Sequence, residues 1–564
     1  MQRWLQDWRL FVPKTVTVLG QGYGWPDLRA DLLAGLTVAI VALPLAMALG
    51  IASGTTPANA LVTAVVAGFL ISLLGGSRFQ IGGPTGAFVV IVYGVIAEHG
   101  YDGLLMATVM AGIILLLAGL ARLGTLIKYI PDPVTTGFTS GIAVIILVSQ
   151  LADFAGLSLR DAPAELLPKL QALWAARETL NPTAALLGLG CLGAILAMRR
   201  WAPKWPGFLI VAASAAALVW ALELPVDTIG SRFGGFTAAI PAPSLDFWTW
   251  AKARELLPSA LTIAMLAGIE SLLSAVVADQ MTGRRHRSNM ELVAQGVANI
   301  GSAAFGGIPA TGAIARTATN IRANARTPVA GMAHAIFLLI FMVALAPLLA
   351  LAPLGALAAI LVVIAWNMAE AHRFRLLLGS SAGDRMVLLV TFGLTVLVDL
   401  SVAIAVGMVL ASFVFMHRMS RLVAVETGDR LIEGDIDERV RTEGPYAPNY
   451  GLPPEAAVIT FRGPLFFGGA TVLKDALDEV GAKKRCYVLR FDEVPLVDPT
   501  GAHALEGFLE RALRDGEVII AGASRGVLRS LLRAVGAPLL RQASFVSDFQ
   551  QALEQARGAC SAAP

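Results

Sequence analysis

Two short motifs carry the residue types that could bind an anion inside a membrane. Residues 82–87 read GGPTGA and residues 306–313 read GGIPATGA, so each contains a Thr-Gly-Ala triplet: Thr85, Gly86 and Ala87 in the first, and Thr311, Gly312 and Ala313 in the second. A helix that begins within a membrane leaves its first N–H groups unpaired, and its dipole places partial positive charge there. Two such helix ends facing each other would bind an anion without any charged side chain.

The small residues of these motifs have two interpretations. Gly86, Ala87, Gly312 and Ala313 would let a ligand approach the backbone closely, but small residues also let helices pack tightly. The motifs occupy matching positions in two halves of the chain. Short segments interrupted by Gly or Pro at such positions are typical of transporter sites. We therefore expect a substrate site that contains both motifs.

Two further residues place charge where a membrane span rarely tolerates it. Glu270 lies in the apolar run 259–279, with Ser274 one turn further along the same helix face. The pair could hold Na+, Glu270 alone could carry a proton, or it could be a structural partner for an arginine. Arg316, five residues after Thr311, could add positive charge at the site, pair with Glu270, or extend to the cytoplasmic surface.

The composition of the chain indicates where these motifs must lie. Of its 564 residues, 56% are hydrophobic and 15% are charged, whereas soluble proteins hold about 25% charged residues. A polytopic protein in a lipid bilayer is therefore predicted. The net charge of +3 does not indicate a nucleic-acid partner.

The sequence shows no sign of catalysis. It contains no recognisable nucleophile–base pair, phosphate-binding loop or metal-ligand spacing, so we expect no enzyme activity, no metal and no cofactor. His334 lies inside a predicted span, and we interpret it as a satisfied core histidine.

Fourteen apolar segments precede residue 421. Seven segments in each half would invert the second half relative to the first, and 84–97 and 311–319 are too short to cross alone. With the N-terminus in the cytoplasm, most basic residues fall on cytoplasmic loops, which predicts that both termini are cytoplasmic. The segments are 28–50, 57–75, 84–97, 103–121, 128–151, 181–198, 206–222, 255–278, 289–304, 311–319, 328–350, 355–367, 385–398 and 400–417.

The last part of the chain has a different composition. Residues 421–564 hold half of the 40 acidic residues. We predict a cytoplasmic N-terminal segment (1–27), a membrane-spanning transport domain (28–420), a linker (421–453) and a soluble domain (454–564). In the soluble domain, apolar strands alternate with helical patterns, which indicates an α/β fold. The strands are at 457–461, 486–491 and 517–521, and the helices are at 470–480, 501–513 and 526–535.

Several stretches resemble one family of membrane proteins. LRADLLAGLTVAIVALPLAMALGIASGTTP (28–57), GGSRFQIGGPTGAFVVI (75–91), IPDPVTTGFTSGI (130–142) and the whole run 268–331 resemble SulP anion transporters, also called solute carrier family twenty-six. The tail signature RFDEVPLVDPTGAHAL (490–505) resembles that of a STAS domain. The resemblance covers nearly the whole chain.

The resemblance implies a core domain and a gate domain, built from two inverted repeats of seven segments. The substrate would lie between half-helices that begin at Thr85 and Thr311. It would contact Phe88 and the first helix near Leu45 and Leu49. Some relatives carry a polar residue where Leu45 stands, so a side-chain hydrogen bond from that position is not expected. The family is typically homodimeric.

The resemblance also bears on coupling and on the tail. Arg316 matches an arginine that follows the second half-helix start in the family. Cation-coupled members hold Na+ with an aspartate where Glu270 stands, and the glutamate favours proton coupling, as in the dicarboxylate subgroup. In stand-alone STAS relatives a phosphorylated serine follows the aspartate equivalent to Asp498, whereas this chain has Pro499.

The function implied by the resemblance is secondary active transport by alternating access. Proton-coupled symport of C4-dicarboxylates such as fumarate or succinate across a bacterial inner membrane is favoured. Transport or exchange of sulfate, bicarbonate or chloride is the alternative within the family. An anion channel, or a signalling receptor built on the STAS domain, would be a function of a different class. The STAS domain is expected to pack between protomers or to bind a cytosolic protein.

Overall fold

The computed structural model divides the chain into two units. The first ends at Val409 and the second begins at Leu410. The described residues are 9–125, 131–159, 163, 165–203, 205–234, 239–398, 400–427, 430–433, 452–453, 455–479 and 484–561.

The first unit consists almost entirely of helices, which confirms the predicted polytopic helical protein. Among the described residues, eight helices are long and apolar enough to cross a membrane. Each predicted segment has a helix, although 128–130 lie outside the described residues. The elements are α1 (Lys14–Leu19), α2 (Trp25–Ala52), α3 (Pro57–Leu74), β1 (Gly82–Gly83), α4 (Val89–Leu120), α5 (Asp132–Ala155), α6 (Leu166–Ala175), α7 (Pro182–Trp201), α8 (Gly207–Leu222), α9 (Ile229–Phe233), α10 (Trp250–Thr282), α11 (Ser288–Ala304), β2 (Thr311–Gly312), α12 (Ile314–Arg322), α13 (Val329–Ala344), α14 (Ala346–Ala350), α15 (Leu354–Met368), α16 (Ala371–Leu378), α17 (Ala382–Leu397) and α18 (Leu400–Ser420), which continues into the second unit.

Three details of the helices differ from the prediction. Segments 84–97 and 103–121 belong to one long element, α4, which turns at Gly100, where φ is 73°. An additional short helix, α6, follows α5 and packs on it. Segment 328–350 is divided into α13 and α14, because Pro347 cannot donate a backbone hydrogen bond and stands in the first turn of α14 instead.

The helices of the first unit pack in two groups. Contacts join α2, α3, α4, α10, α11, α12 and α13 in one group, and α5, α7, α8, α15 and α17 in the other. Within the first group α4 and α11 approach closely where Gly112 faces Gly296, because neither residue has a side chain to separate the backbones. The two groups correspond to the expected core and gate domains.

Two buried carboxylates attach loops of the first group to its helices. Asp31 of α2 accepts hydrogen bonds from the backbone N–H and the hydroxyl of Thr327, just after α12. Glu291 of α11 accepts from the N–H groups of Gly76, at 2.8 Å, and Ser77, at 3.1 Å. Buried polar groups need such partners. These contacts therefore hold the chain before the first motif and after the second.

The second unit is an α/β domain, as predicted, and it is built on a six-stranded sheet that includes the three predicted strands. The strand order is β4-β3-β5-β6-β7-β8, with β3 antiparallel to β4 and β5 and the other neighbours parallel. Phe461 and Phe491 pack in its core with ring centroids 4.9 Å apart. The elements are β3 (Ala424–Thr427), β4 (Arg430–Glu433), β5 (Ala456–Arg462), α19 (Ala470–Glu479), β6 (Cys486–Glu493), α20 (Pro499–Asp515), β7 (Glu517–Ala521), α21 (Arg525–Ala534), α22 (Ala537–Leu540), β8 (Ser544–Val546) and α23 (Phe549–Ser561).

The prediction of a linker at 421–453 is wrong for its first part. Residues 424–427 and 430–433 form the hairpin of β3 and β4, which extends the sheet beside β5. The charges in this stretch suggested a linker, but edge strands commonly carry charged side chains. Residues 434–451 lie outside the described residues.

Candidate functional site

The two motifs meet in a short antiparallel pairing within the first group of helices. Gly82 of β1 lies opposite Gly312 of β2, and Gly83 lies opposite Thr311. All four residues are buried. Lipid offers no hydrogen bonds, so extended backbone at this depth must be paired within the protein. The pairing supplies those bonds and places both helix starts side by side.

The first motif ends at the start of a helix. Thr85 is extended, and a 3-10 turn at Gly86–Phe88 follows and continues as α4. Ala87 lies buried in this turn. The side chain of Thr85, at the N-cap, does not accept a capping hydrogen bond. Among the described residues, no side-chain acceptor is therefore seen for the first N–H groups of this helix, as an anion-binding helix end requires.

The second helix starts three residues later than expected. Thr311 and Gly312 are held extended by the pairing with β1, so α12 begins at Ile314 with Ala313 at its N-cap. This start also has no side-chain cap. The Thr311 hydroxyl instead donates to the carbonyl of Ala267 in α10, at 2.8 Å.

Arg316 lies in the first turn of α12 and is only 2% exposed. Its guanidinium donates from Nη2 to the carbonyl of Pro84 in the first motif. Among the described residues, Nε and Nη1 have no hydrogen-bond partner. The side chain passes Gly83, where a Cβ would lie 2.5 Å from Nη1. Of the three expected roles, extension to the cytoplasmic surface is wrong, because the side chain is directed into the site.

Glu270 lies on α10, facing the first motif. Its carboxylate accepts a hydrogen bond from the hydroxyl of Thr85 at 2.7 Å, and its side chain is half-buried. Its charge interacts with that of Arg316, but among the described residues the two form no direct ion pair. The arrangement places one carboxylate and one guanidinium against adjacent residues of the first motif, Thr85 and Pro84.

Ser274 does not hydrogen-bond with Glu270. Its hydroxyl donates to the hydroxyl of Thr317 in α12 at 3.1 Å, and the same oxygen of Thr317 accepts from Ile81 N–H at 3.1 Å. This chain of bonds joins α10, α12 and the residue before β1. A cation site shared by Ser274 and Glu270 therefore stays a prediction. The hydrogen bond seen for Ser274 positions α12 against α10.

Gly86 and Gly312 are each covered by a side chain of the protein. A Cβ at Gly86 would lie 2.7 Å from Sδ of Met368, and one at Gly312 would lie 1.6 Å from Nε2 of Gln80. Both glycines thus make room for a neighbouring side chain. Direct contact of a substrate with these two residues stays a prediction.

The apolar residues implied by the resemblance lie together near the first helix start. Leu49 and Phe88 are buried, and Leu45 is half-buried against the same apolar cluster. They could form an apolar wall of the site. Their contact with a substrate stays a prediction.

Sequence reasoning missed two polar residues around the site, Gln80 and Thr317, and misinterpreted a third, His334. Gln80 donates to Ser271 at 2.7 Å, and among the described residues its buried Oε1 has no partner. Thr317 joins β1 to α12. His334 of α13 is fully buried, neither ring nitrogen has a partner among the described residues, and its charge would interact with that of Arg316. The interpretation of His334 as a satisfied histidine is therefore wrong. Gln80 could have been found from the sequence, because it is a polar residue directly before the GGPTGA motif.

Comparison with known proteins identifies the family. Residues 28–391 match the family model described as the Sulfate permease family. The chain belongs to the sulfate permease family. Residues 448–542 match the STAS domain. As a sulfate permease family member, the protein is a multi-pass membrane anion transporter and not an enzyme.

Relatives of this chain carry several substrate names. The chain is 39% identical over 506 residues to the putative sulfate transporter YvdB of Bacillus subtilis, covering 89% of this chain and 93% of that protein. It is 31% identical over 526 residues to the bicarbonate transporter BicA of Picosynechococcus sp., covering 90% of each.

Two solved structures resemble this chain. The transmembrane domain of a cyanobacterium bicarbonate transporter BicA aligns with a TM-score of 0.62 and 32% identity, over 68% of this chain and 98% of that chain. Murine Solute Carrier 26 family member A9, an anion transporter in the inward-facing state, aligns with a TM-score of 0.85 over 98% of this chain and 95% of that chain. At 16% identity the second comparison shows the fold alone.

Proposed function

We propose that the protein carries a small oxyanion, sulfate or bicarbonate, across the membrane by alternating access. The observation that supports this most strongly is the buried Arg316, with two unpartnered nitrogens beside two uncapped helix starts. A guanidinium presents a planar fork of donors that matches an oxyanion, and helix ends add N–H groups and partial positive charge. The names of the relatives support an inorganic oxyanion.

Transport is proposed to be coupled to a proton, or to Na+, at Glu270. Its carboxylate faces the same helix starts as Arg316, so an arriving anion and the Glu270 charge repel each other. A proton or cation at Glu270 removes that repulsion and favours anion binding. By thermodynamic reciprocity, the anion then favours binding of the cation equally, which is the requirement for symport.

Symport of C4-dicarboxylates such as fumarate is the second candidate. It is favoured by the identity of Glu270, since the resemblance connects a glutamate at this position with the dicarboxylate subgroup. The helix starts and Arg316 would bind one carboxylate of such a substrate in the same way as an inorganic oxyanion. The second carboxylate would need a partner beyond these residues.

The proposal extends to location and assembly. The protein would lie in a bacterial inner membrane with both termini in the cytoplasm, as the distribution of basic residues favours. It would work as a homodimer, and residues 454–564 would contact the second protomer or a cytosolic protein. The murine relative in its inward-facing state supports alternating access only through the shared fold.

Counterflow into proteoliposomes tests the substrate. Vesicles preloaded with unlabelled sulfate, bicarbonate, fumarate or succinate are offered the labelled anion, and only a transported species accumulates transiently. We expect sulfate or bicarbonate to show this accumulation. Counterflow of fumarate without that of inorganic anions would favour the second candidate, and no counterflow with any of the four would contradict the proposed substrates.

A further inference from the structure

A cavity of about 870 Å³ lies at the C-terminal end of α2, away from the N-terminal segment. It is lined by residues 51–59, which comprise the end of α2, the following loop and the start of α3, and by the first half of α4, the last turns of α5, and α6. The N-terminus is predicted to be cytoplasmic, so this cavity is on the predicted outer side. None of the candidate site residues lines it.

The cavity is separated from the two motifs by one apolar layer. On each of three helices, a buried apolar residue precedes the first residue that lines the cavity by at most one turn. These residues are Leu49 on α2, Val89 on α4 and Ile146 on α5. All three are buried in a single apolar cluster. At 1.5 Å per residue, Tyr93 at the cavity wall is about 6 Å along α4 from Val89, the residue that follows the 3-10 turn of the first motif. The cavity thus lies directly beyond the site on the predicted outer side.

Lys169 of α6 is enclosed in this cavity and is only 6% exposed. Its Nζ lies 4.8 Å from the centre of the Tyr93 ring. Among the described residues it has no carboxylate partner. Buried lysines are normally paired, and a cation–π contact compensates only partly for lost water.

Besides Lys169, the charged residues that line the cavity are Arg232 and Asp153, which form an ion pair at 2.6 Å. Arg232 also pairs at 3.3 Å with Asp227, an exposed carboxylate that does not line the cavity. Among the described residues that line the cavity, Lys169 is therefore the one charged side chain without an oppositely charged partner. Such a charge attracts anions more strongly than one on an open surface.

We propose that this cavity is an anion vestibule on the outer side, in which Lys169 binds the transported oxyanion or carboxylate before it passes the apolar layer. This inference rests on the anion transport proposed above. Tyr93 holds the lysine side chain in place through its ring and has no net charge, so it does not compete with the anion for charge pairing. Because Tyr93 stands on α4, the contact also connects the vestibule to the helix that begins at the first motif.

The test measures substrate affinity separately from each side of the membrane. Right-side-out and inside-out vesicles containing wild type or Lys169→Gln are assayed with labelled sulfate, or with whichever of bicarbonate and fumarate the wild type carries. We expect Lys169→Gln to raise the half-saturation concentration from the outer side by about fivefold or more, the effect of one charge contact in a partly hydrated site. The half-saturation concentration from the inner side should stay unchanged.

Two controls accompany the variant. Lys169→Arg keeps the charge and should keep the outer affinity. Arg177→Gln removes an exposed positive charge just after α6 and should change neither affinity. If Lys169→Gln does not reach the membrane, the dependence of wild-type transport on ionic strength still tests the proposal. The outer half-saturation concentration of the wild type should rise more steeply with ionic strength than the inner one, since salt screens a charge in the vestibule.

The outcomes separate this inference from the function on which it rests. If the wild type carries none of the anions, the proposed function fails. If it carries one and Lys169→Gln leaves the outer affinity unchanged, the vestibule is overturned while transport stands. An equal loss of affinity on both sides would show that Lys169 is only structural, and would also overturn it. Equal salt dependence on the two sides would do the same.

Discussion

At the residue scale, Arg316 carries the argument for an anion site. Its side chain is buried, yet among the described residues only one of its guanidinium nitrogens has a hydrogen-bond partner. An unsatisfied buried donor destabilises a protein by about 1–3 kcal/mol, and more if it is charged. The protein can tolerate these unpartnered donors if they bind a substrate during transport.

Replacing Arg316 with Gln should therefore weaken anion binding. Gln keeps an uncharged N–H donor on a shorter side chain, whereas the charge and the fork of donors are lost. A charge-assisted hydrogen bond contributes about 1.5–3 kcal/mol, which corresponds to an affinity loss of about 10- to 150-fold. Equilibrium binding of labelled sulfate to purified protein measures it. Arg322→Gln, an exposed charge at the end of the same helix, is the control and should bind like wild type.

Glu270→Gln tests coupling at the same scale. The variant keeps an acceptor for the Thr85 hydroxyl but is permanently neutral, like the protonated glutamate. It should keep anion exchange and lose accumulation driven by a pH gradient, because no proton can be carried. Uptake into proteoliposomes with and without a pH gradient measures this, and Glu255→Gln, exposed on the same helix, is the control.

Two results would change this interpretation. If Glu270→Gln still concentrates the anion when only a proton gradient is supplied, another residue couples transport. If wild-type uptake at constant pH depends on Na+, the cation at Glu270 is Na+ instead of a proton.

At the element scale, the pairing of β1 with β2 decides how the two helix starts are presented. Gly83 is the residue of this pairing that tolerates a side chain least. Its φ of 146° is rarely adopted by other residues, and a Cβ there would meet Nη1 of Arg316. The sequence repeat predicted that both motifs belong to one site. It did not predict that they hydrogen-bond as strands.

Gly83→Ala should consequently disturb the site more than an ordinary glycine replacement. The strained backbone costs about 1–3 kcal/mol, and Arg316 must move. We expect a lower midpoint of thermal unfolding and a weaker affinity for sulfate. Gly94→Ala in α4 is the matched control, because its Cβ would meet no atom within 4 Å and its φ is ordinary. Equal effects of the two replacements would refute a special role for the pairing.

The parts that could be predicted from sequence are those set by local pattern. Apolar segments located the helices, and the repeat, Glu270 and Arg316 are residues that the fold brings together at the candidate site. The partners of Ser274 and Gln80 could not be predicted, because they are set by helices that are distant in sequence and meet only in the fold. The β3–β4 hairpin was missed for a different reason, since its charged edge strand has the composition of a linker.

At the scale of the whole molecule, every candidate site residue belongs to the unit that ends at Val409, and the second unit has an apolar core of its own. Anion binding should therefore not require the STAS domain to be intact. Asp498 offers a way to loosen that domain alone. It caps α20 by accepting from Gly501 N–H at 2.7 Å, and it also accepts from Phe467 N–H at 3.0 Å.

Asp498→Ala should destabilise the second unit by about 0.5–2 kcal/mol, the usual effect of losing a helix cap, and leave the affinity for sulfate unchanged. Cys486 reports on this unit: burial raises the pKa of its thiol to about 12, so little reactive thiolate is present at neutral pH while the domain is folded. Cys486 is labelled with maleimide in increasing urea and detected by mass spectrometry, and labelling should occur at a lower urea concentration in the variant.

The adjacent replacement Pro499→Ala keeps the cap and should label like wild type. A loss of sulfate affinity in Asp498→Ala under conditions where Cys486 is still protected would mean that the STAS domain takes part in binding, and that the two units do not act independently.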